Sequence, residues 1–188
     1  VEVASGLRYR DAMQDGLLRP LGMHRTLFLP SEVIADGNFA YGLSTDEDMR
    51  PWIVEPGSYD NAWARPAGFA VSSVLDLAAW IRFLERGDTD VLSDDLRSSM
   101  QSAQISTEEF GYLLHYGFGL SVNDGAFLGG PSRFHRTRVV HHNGSIPGFA
   151  TEMWFLPDAH FAFVAFANVD GASFLQTLVT AALQLGDL

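Results

Sequence analysis

The 188-residue sequence contains no cysteine and no lysine; its 12 basic residues are all arginine. Without cysteine there is no disulfide and no thiolate zinc site, and the redox compartment stays open. Without lysine no ammonium group is at hand to activate a serine nucleophile. Positive charge is scarce overall, since 23 acidic residues leave a net charge of −11. A surface that acidic repels phosphate backbones and anionic lipid, so neither nucleic acid nor a membrane is an expected partner. Long apolar runs are missing too. The longest, Phe161 to Ala167, is strand-sized, far short of the roughly 20 residues that span a bilayer. The opening Val1-Glu2-Val3-Ala4-Ser5-Gly6 has no initiator methionine and is no signal peptide. It reads as the end of a helix already under way, so the chain is expected to start inside a domain.

What is present is the composition of a globular domain, 47% hydrophobic and 19% charged. Tyr9, Met13, Leu17 and Leu18 recur at helical spacing until Pro20 ends the pattern. Leu21-Gly22-Met23 follows, and from there to about Asp60 the chain reads as polar loop. Arg65-Pro66-Ala67-Gly68-Phe69 then delivers it to a helix capped by Ser72 or Ser73. Leu75, Leu77, Ala78, Ile81, Phe83 and Leu84 are its expected apolar face, and Gly87 its stop. A shorter helix is expected over Ser93 to Gln101. Strand periodicity follows: Tyr116 to Val122, then Arg138 to His142, Ala150 to Leu156 and Phe161 to Asn168, with a Gly-rich loop from Asn123 to Arg136. Short connections at Pro147-Gly148 and Pro157-Asp158 suit antiparallel neighbours. Ser173 to Leu185 is the closing helix. The order indicates an α+β fold, with a helical and loop portion over 1–110 and the strands and final helix over 111–188 of one incomplete domain.

Val139-Val140-His141-His142-Asn143-Gly144-Ser145-Ile146-Pro147-Gly148-Phe149 carries the most information. Two β-branched residues lead into a histidine pair, and the strand ends in Gly and Ser, where no bulky substituent keeps a substrate from the backbone. Taken with Pro20-Leu21-Gly22-Met23…Thr26, Arg65-Pro66-Ala67-Gly68…Ser72-Ser73…Asp76-Leu77, Tyr116-Gly117-Phe118-Gly119-Leu120 and Ala167-Asn168, it resembles the penicillin-recognising serine hydrolases. These are the class C β-lactamases, related esterases and D-aminopeptidases, in many of which a His-x-Gly replaces Lys-Thr-Gly. His142-Asn143-Gly144 stands at that triplet. The Ser-x-x-Lys nucleophile of the family has no counterpart here, and the resemblance places both it and the family's Tyr-x-Asn ahead of Val1.

The resemblance implies cleavage of an ester or amide, with β-lactams open, through an acyl-enzyme. Two backbone N–H groups hold the oxyanion, one of them on the residue after His-x-Gly, which is Ser145. His142 would stand beside the substrate, a weaker anion anchor than lysine but a good hydrogen-bond partner. Asn143, Gly144, Ile146, Trp63 and Phe69 complete the expected substrate contacts. The same residues also fit an ordinary strand-end turn, a backbone-satisfied histidine, and core packing for Trp63 and Phe69. His141, facing the other way, reads as structural, and the pair cannot chelate one metal. Neither a metal nor a cofactor is expected. The expected partners are a small-molecule ester or amide substrate and an N-terminal segment of the same protein. The alternative reading is a non-catalytic ligand-binding or regulatory module built on the same fold.

Overall fold

In the computed structural model, which describes residues 1–60, 63, 65–106, 115–128 and 132–185, the first boundary is set by glycine. Helix α1 (Glu2–Ser5) stops at Gly6, whose φ of 69° is the left-handed conformation that ends helices. Helix α2 (Tyr9–Met13) runs on into a π-helical turn, Gln14–Leu18, in which the Arg19 N–H reaches back five residues to the Gln14 carbonyl at 3.0 Å. The helical spacing of Tyr9, Met13 and Leu18 serves packing. Leu18, Met23, Phe28 and Ala79 form a buried cluster with Tyr9, Met13 and Leu21 against it.

The region from Leu21 to Asp60 is more ordered than its polarity suggested. It holds helix α3 (Pro30–Asp36) and a hairpin of β1 (Gly42–Thr45) and β2 (Pro51–Val54), in which Leu43 faces Ile53 and Ser44 faces Trp52. Both are short, so neither builds a visible period. Their punctuation is local. Pro30 opens α3, the Glu32 carboxylate accepts from the Leu29 N–H at 3.1 Å, and Gly37 at φ 72° closes it. At the hairpin tip Asp46 Oδ1 accepts from the N–H of Asp48 at 3.0 Å and of Arg50 at 2.8 Å.

Helix α4 (Val74–Arg86) starts at Ser73, whose Oγ accepts from the Asp76 N–H at 3.2 Å. Asp76 is buried, and its Oδ2 accepts from the Arg25 N–H and the Thr26 hydroxyl, each at 2.8 Å. A buried charge needs such donors, and here they tie the helix start to the Met23–Thr26 segment. Ile81, Phe83 and Leu84 are buried as expected, but Ala79 is buried in place of the expected Ala78, which is exposed, and Leu75 is exposed at 76%. Asp76 has taken the inward position beside it. Helix α5 (Asp94–Met100) follows its cap Ser93.

The sheet has six strands: β3 (Ile105–Ser106), β4 (His115–Tyr116), β5 (Ser121–Asn123), β8 (Val139–Ile146), β9 (Phe149–Leu156) and β10 (Phe161–Ala167), ordered β10-β9-β8-β5-β4-β3. The single strand expected over Tyr116–Val122 is instead β4, a tight turn and β5. The Gly117 N–H donates to the Leu120 carbonyl at 2.7 Å, and Gly119 takes φ 74°. Glycine alternating with large residues marked a turn, not a pleat. The loop expected over Asn123–Arg136 contains a small hairpin, β6 (Ala126–Phe127) with β7 (Phe134–His135). Strand β8 runs four residues beyond the expected His142 end, so Asn143, Gly144 and Ser145 are strand residues. Helix α6 (Leu175–Leu185) covers the sheet through Leu178, Val179 and Ala182, packed with Val139, Leu156, Phe161 and Leu128. The chain is thus a mixture of helices and an antiparallel sheet. The boundary expected near residue 110 lies outside the described residues.

By internal contacts the chain forms two compact units. One comprises Val1–Phe83, Gly144–Ala150 and Phe166–Ala172, and the other Leu84–Asn143, Thr151–Ala165 and Ser173–Leu188.

Candidate active site

Strand β8 changes character along its length. Val139 and Val140 are fully buried, His141 and His142 are half-buried, and Asn143, Gly144 and Ser145 are exposed, with Ile146 half-buried at the end. Burial of the first part fixes the backbone that presents the second. Both nitrogens of the His142 ring are engaged: Nδ1 lies 2.6 Å from the Asn143 carbonyl oxygen and Nε2 lies 3.0 Å from the Tyr116 hydroxyl. The Tyr116 ring meets the imidazole edge-on, centroids 6.0 Å apart. Sequence reading placed Tyr116 in a strand motif and missed this contact, because the turn at Gly117–Leu120 creates it.

His141 has a different environment. Its ring stacks on Trp154 at 4.9 Å, and its Nε2 is 3.4 Å from Asn123 Nδ2. Among the described residues, His141 Nδ1 and Asn123 Oδ1 are buried without a hydrogen-bond partner. Burial, with the neighbouring His142 charge adding to it, holds the His141 pKa down at about 4. Trp154 Nε1 donates to Glu152 Oε1 at 2.6 Å. Burial pushes the Glu152 carboxyl up, against the downward pull of the Trp154 bond and of His142.

These shifts give a pH dependence. A histidine that titrates near 6.5 unfolded and about 4 folded is proton-poor in the fold, so acid favours unfolding. The stability present above pH 6.5 is lost as the pH falls towards 4, by at most about 3 kcal/mol. The raised Glu152 acts in the opposite sense, losing stability as the pH rises from its unfolded value through its folded one. Urea unfolding between pH 7 and 4 should therefore show falling stability, with a slope that His141→Gln flattens. An equal slope in that variant would remove His141 as the cause.

At the end of β8, the Pro147–Gly148 turn is held from outside the hairpin. The Gly148 N–H and the Ser44 hydroxyl both donate to the Asp170 carboxylate. The Ser44 hydroxyl, then the Gly148 and Thr45 N–H groups, draw the Asp170 carboxyl below its ordinary range. Backbone bonds stitch the same loop to β1: the Leu43 N–H to the Asn168 carbonyl at 2.9 Å, and the Asp170 N–H to the Leu43 carbonyl at 3.2 Å. Gly148 sits at φ 81°, and a Cβ there would stand 2.6 Å from Val54 Cγ2, so only glycine fits. The sequence pattern pointed to Asn168 and overlooked Asp170, two residues on.

The structure places His142, Asn143, Gly144, Ser145 and Ile146 consecutively on β8. Trp63 is exposed at 84%, and Phe69 is half-buried with φ 63°, in the Arg65–Phe69 segment. Arg138 donates from its guanidinium to the Gln101 carbonyl and from its N–H to Asp158.

A strand of this form, beside a covering helix and preceded by capped helices, is matched by known proteins. The sequence model of the Beta-lactamase family covers residues 1–186. The chain belongs to this family. Over 176 residues it is 28% identical to the unguisins hydrolase ungD' of Aspergillus campestris, covering 92% of this chain and 31% of that protein. An octameric penicillin-binding protein homologue from Pyrococcus abyssi superposes with a TM-score of 0.76 at 26% identity, covering 98% of this chain and 39% of that one. A D-stereospecific amidohydrolase from Streptomyces sp. shares the fold, with a TM-score of 0.70 at 22% identity over 98% of this chain and 51% of its own. The chain therefore spans between about a third and half of the length of these β-lactamase-family relatives.

Proposed function

We propose that this chain is the portion of a serine hydrolase that supplies the His-x-Gly strand and one oxyanion-hole donor, in an enzyme cleaving an ester or amide through an acyl-enzyme. The observation that carries this reading is the exposure of Asn143, Gly144 and Ser145 on a strand whose preceding residues are fully buried. A rigid strand ending in open backbone can aim an N–H group at a developing oxyanion, and preorganised donors of this kind lower acyl-transfer barriers most. The Streptomyces neighbour is named an amidohydrolase and the Aspergillus relative a hydrolase, which supports a hydrolytic reading.

In the proposed reaction a serine outside residues 1–188 attacks the substrate carbonyl. Its own N–H and that of Ser145 hold the tetrahedral oxygen, the leaving group departs protonated, and water releases the acyl group. His142 flanks the carbonyl as a hydrogen-bonding group. The absence of lysine means that nothing within this chain would complete a Ser-x-x-Lys.

The test is acylation mapping on the full-length protein with a p-nitrophenyl ester. A product burst with the acyl group on a Ser-x-x-Lys serine outside these 188 residues is the expected result. Acylation of Ser145 itself would overturn the assignment, and no burst at all would favour the non-catalytic module. In the active protein, His142→Ala should lower kcat/KM by about ten- to a hundredfold, or about 1.4–2.7 kcal/mol, with the urea midpoint nearly unchanged. A loss of stability without a loss of rate would assign His142 to structure instead.

A further inference from the structure

His142 and Tyr116 together determine which protons this site can offer. A backbone carbonyl only accepts, so the 2.6 Å contact with the Asn143 oxygen requires the proton of neutral His142 on Nδ1. Nε2 is then a lone pair, and the Tyr116 hydroxyl 3.0 Å away must donate to it. Both polar hydrogens of the pair are thereby spent within the protein. What remains for a ligand is acceptor capacity on the phenolic oxygen.

We infer that Tyr116 is a positioning residue that holds His142 with Nε2 as acceptor, and that the pair discriminates against substrates carrying a carboxylate next to the scissile carbonyl. This rests on the reading that β8 borders the substrate. Lysine at this place would meet a carboxylate with an ammonium group; the Tyr116–His142 pair meets it with lone pairs, and lone pairs facing an anion repel it. A neutral ester or amide, or one bearing an N–H or ammonium donor, has no such conflict.

The geometry that makes Tyr116 available is local. The Gly117–Leu120 turn closes directly after Tyr116 through the 2.7 Å bond from the Gly117 N–H to the Leu120 carbonyl, and it is anchored by the Phe118 N–H on the Met100 carbonyl at 3.3 Å. Tyr116 is therefore fixed at its backbone on both sides: by pairing with Ser121 and Ile105, and by the turn.

The experiment is nitrogen NMR of the full-length protein labelled with 15N-histidine, with His142 assigned by its disappearance in His142→Gln. The expected wild-type spectrum has a protonated Nδ1 and an unprotonated, hydrogen-bonded Nε2. A protonated Nε2 in the neutral ring overturns the inference without any need for a variant. In Tyr116→Phe the Nε2 signal should move towards that of an unbonded ring nitrogen while His141 stays in place; an unmoved signal also overturns it. On the active enzyme, Tyr116→Phe should narrow the preference for a neutral ester over its carboxylate-bearing analogue by about tenfold, because a ring no longer held with Nε2 as acceptor can turn an N–H towards the anion. An unchanged ratio counts against the specificity role. A protein without hydrolytic activity would fail the functional proposal while leaving the spectroscopic arm decisive for the Tyr116–His142 pair.

Discussion

Ser145→Pro should lower kcat of the full-length enzyme by about 100- to 1,000-fold, the cost of one missing oxyanion donor. Proline removes the backbone N–H and leaves the carbonyl in place. Ser145→Ala keeps the N–H and should leave kcat within about threefold of wild type, since the hydroxyl has no part in the proposed step. The pair of variants separates two roles for one residue. If alanine alone abolishes turnover, Ser145 acts through its side chain and is the nucleophile. If proline leaves the rate intact, the donor is elsewhere on the strand. Urea midpoints of both variants show whether the proline also disturbs β8, whose exposed end has no buried side chain at Asn143 to Ser145 to lose.

The second large effect is on stability. Gly117→Ala should cost about 3 kcal/mol or more, because the added Cβ would stand 2.2 Å from the Met100 carbonyl oxygen and 2.8 Å from that of Ser102. Those neighbours are backbone atoms at the end of α5, and no rotamer change moves them aside. Gly119→Ala, two residues on, is the contrast. Its φ of 74° strains any side chain, yet nothing lies within 4 Å of its Cβ, so about 1 kcal/mol is expected. Urea denaturation with a constant slope measures both. A cost below about 1 kcal/mol for Gly117→Ala would mean that the Met100–Ser102 backbone yields, and that the turn does not hold Tyr116 rigidly.

How far the sequence could be read follows from which signals are local. The helix of Val74–Arg86 was legible because a serine cap, an acidic first turn and a wide apolar face coincide within 13 residues. Strand β8 was legible from two valines and the histidine motif. The β1–β2 hairpin was not, since four-residue strands give no period and Gly42 and Pro51 imitate loop composition. The Tyr116–Val122 segment misled for a related reason: Gly117 and Gly119 look like alternation until a turn hydrogen bond assigns them another task. For the candidate site, His142 through Ile146 were singled out from motif and position alone. Tyr116 and Asp170 could not, because each acts through a contact with no counterpart in spacing. Tyr116 reaches a ring 26 residues away, and Asp170 a turn 22 residues away.

The Asp170 contacts also bear on where the chain can change length. Hairpin tips ordinarily accept insertions, being exposed and held only by their own strands. The Pro147–Gly148 tip is different, because Asp170 grips its N–H group while Gly42 and Val54 leave no room for a Cβ on Gly148. An added residue there would break the carboxylate contact and shift Ser145 along with it. Among the described residues, the Asp46–Arg50 tip carries only bonds within itself. Drift in length among descendants of this gene should therefore collect at 46–50 and spare 146–149, leaving strand β8 in one register.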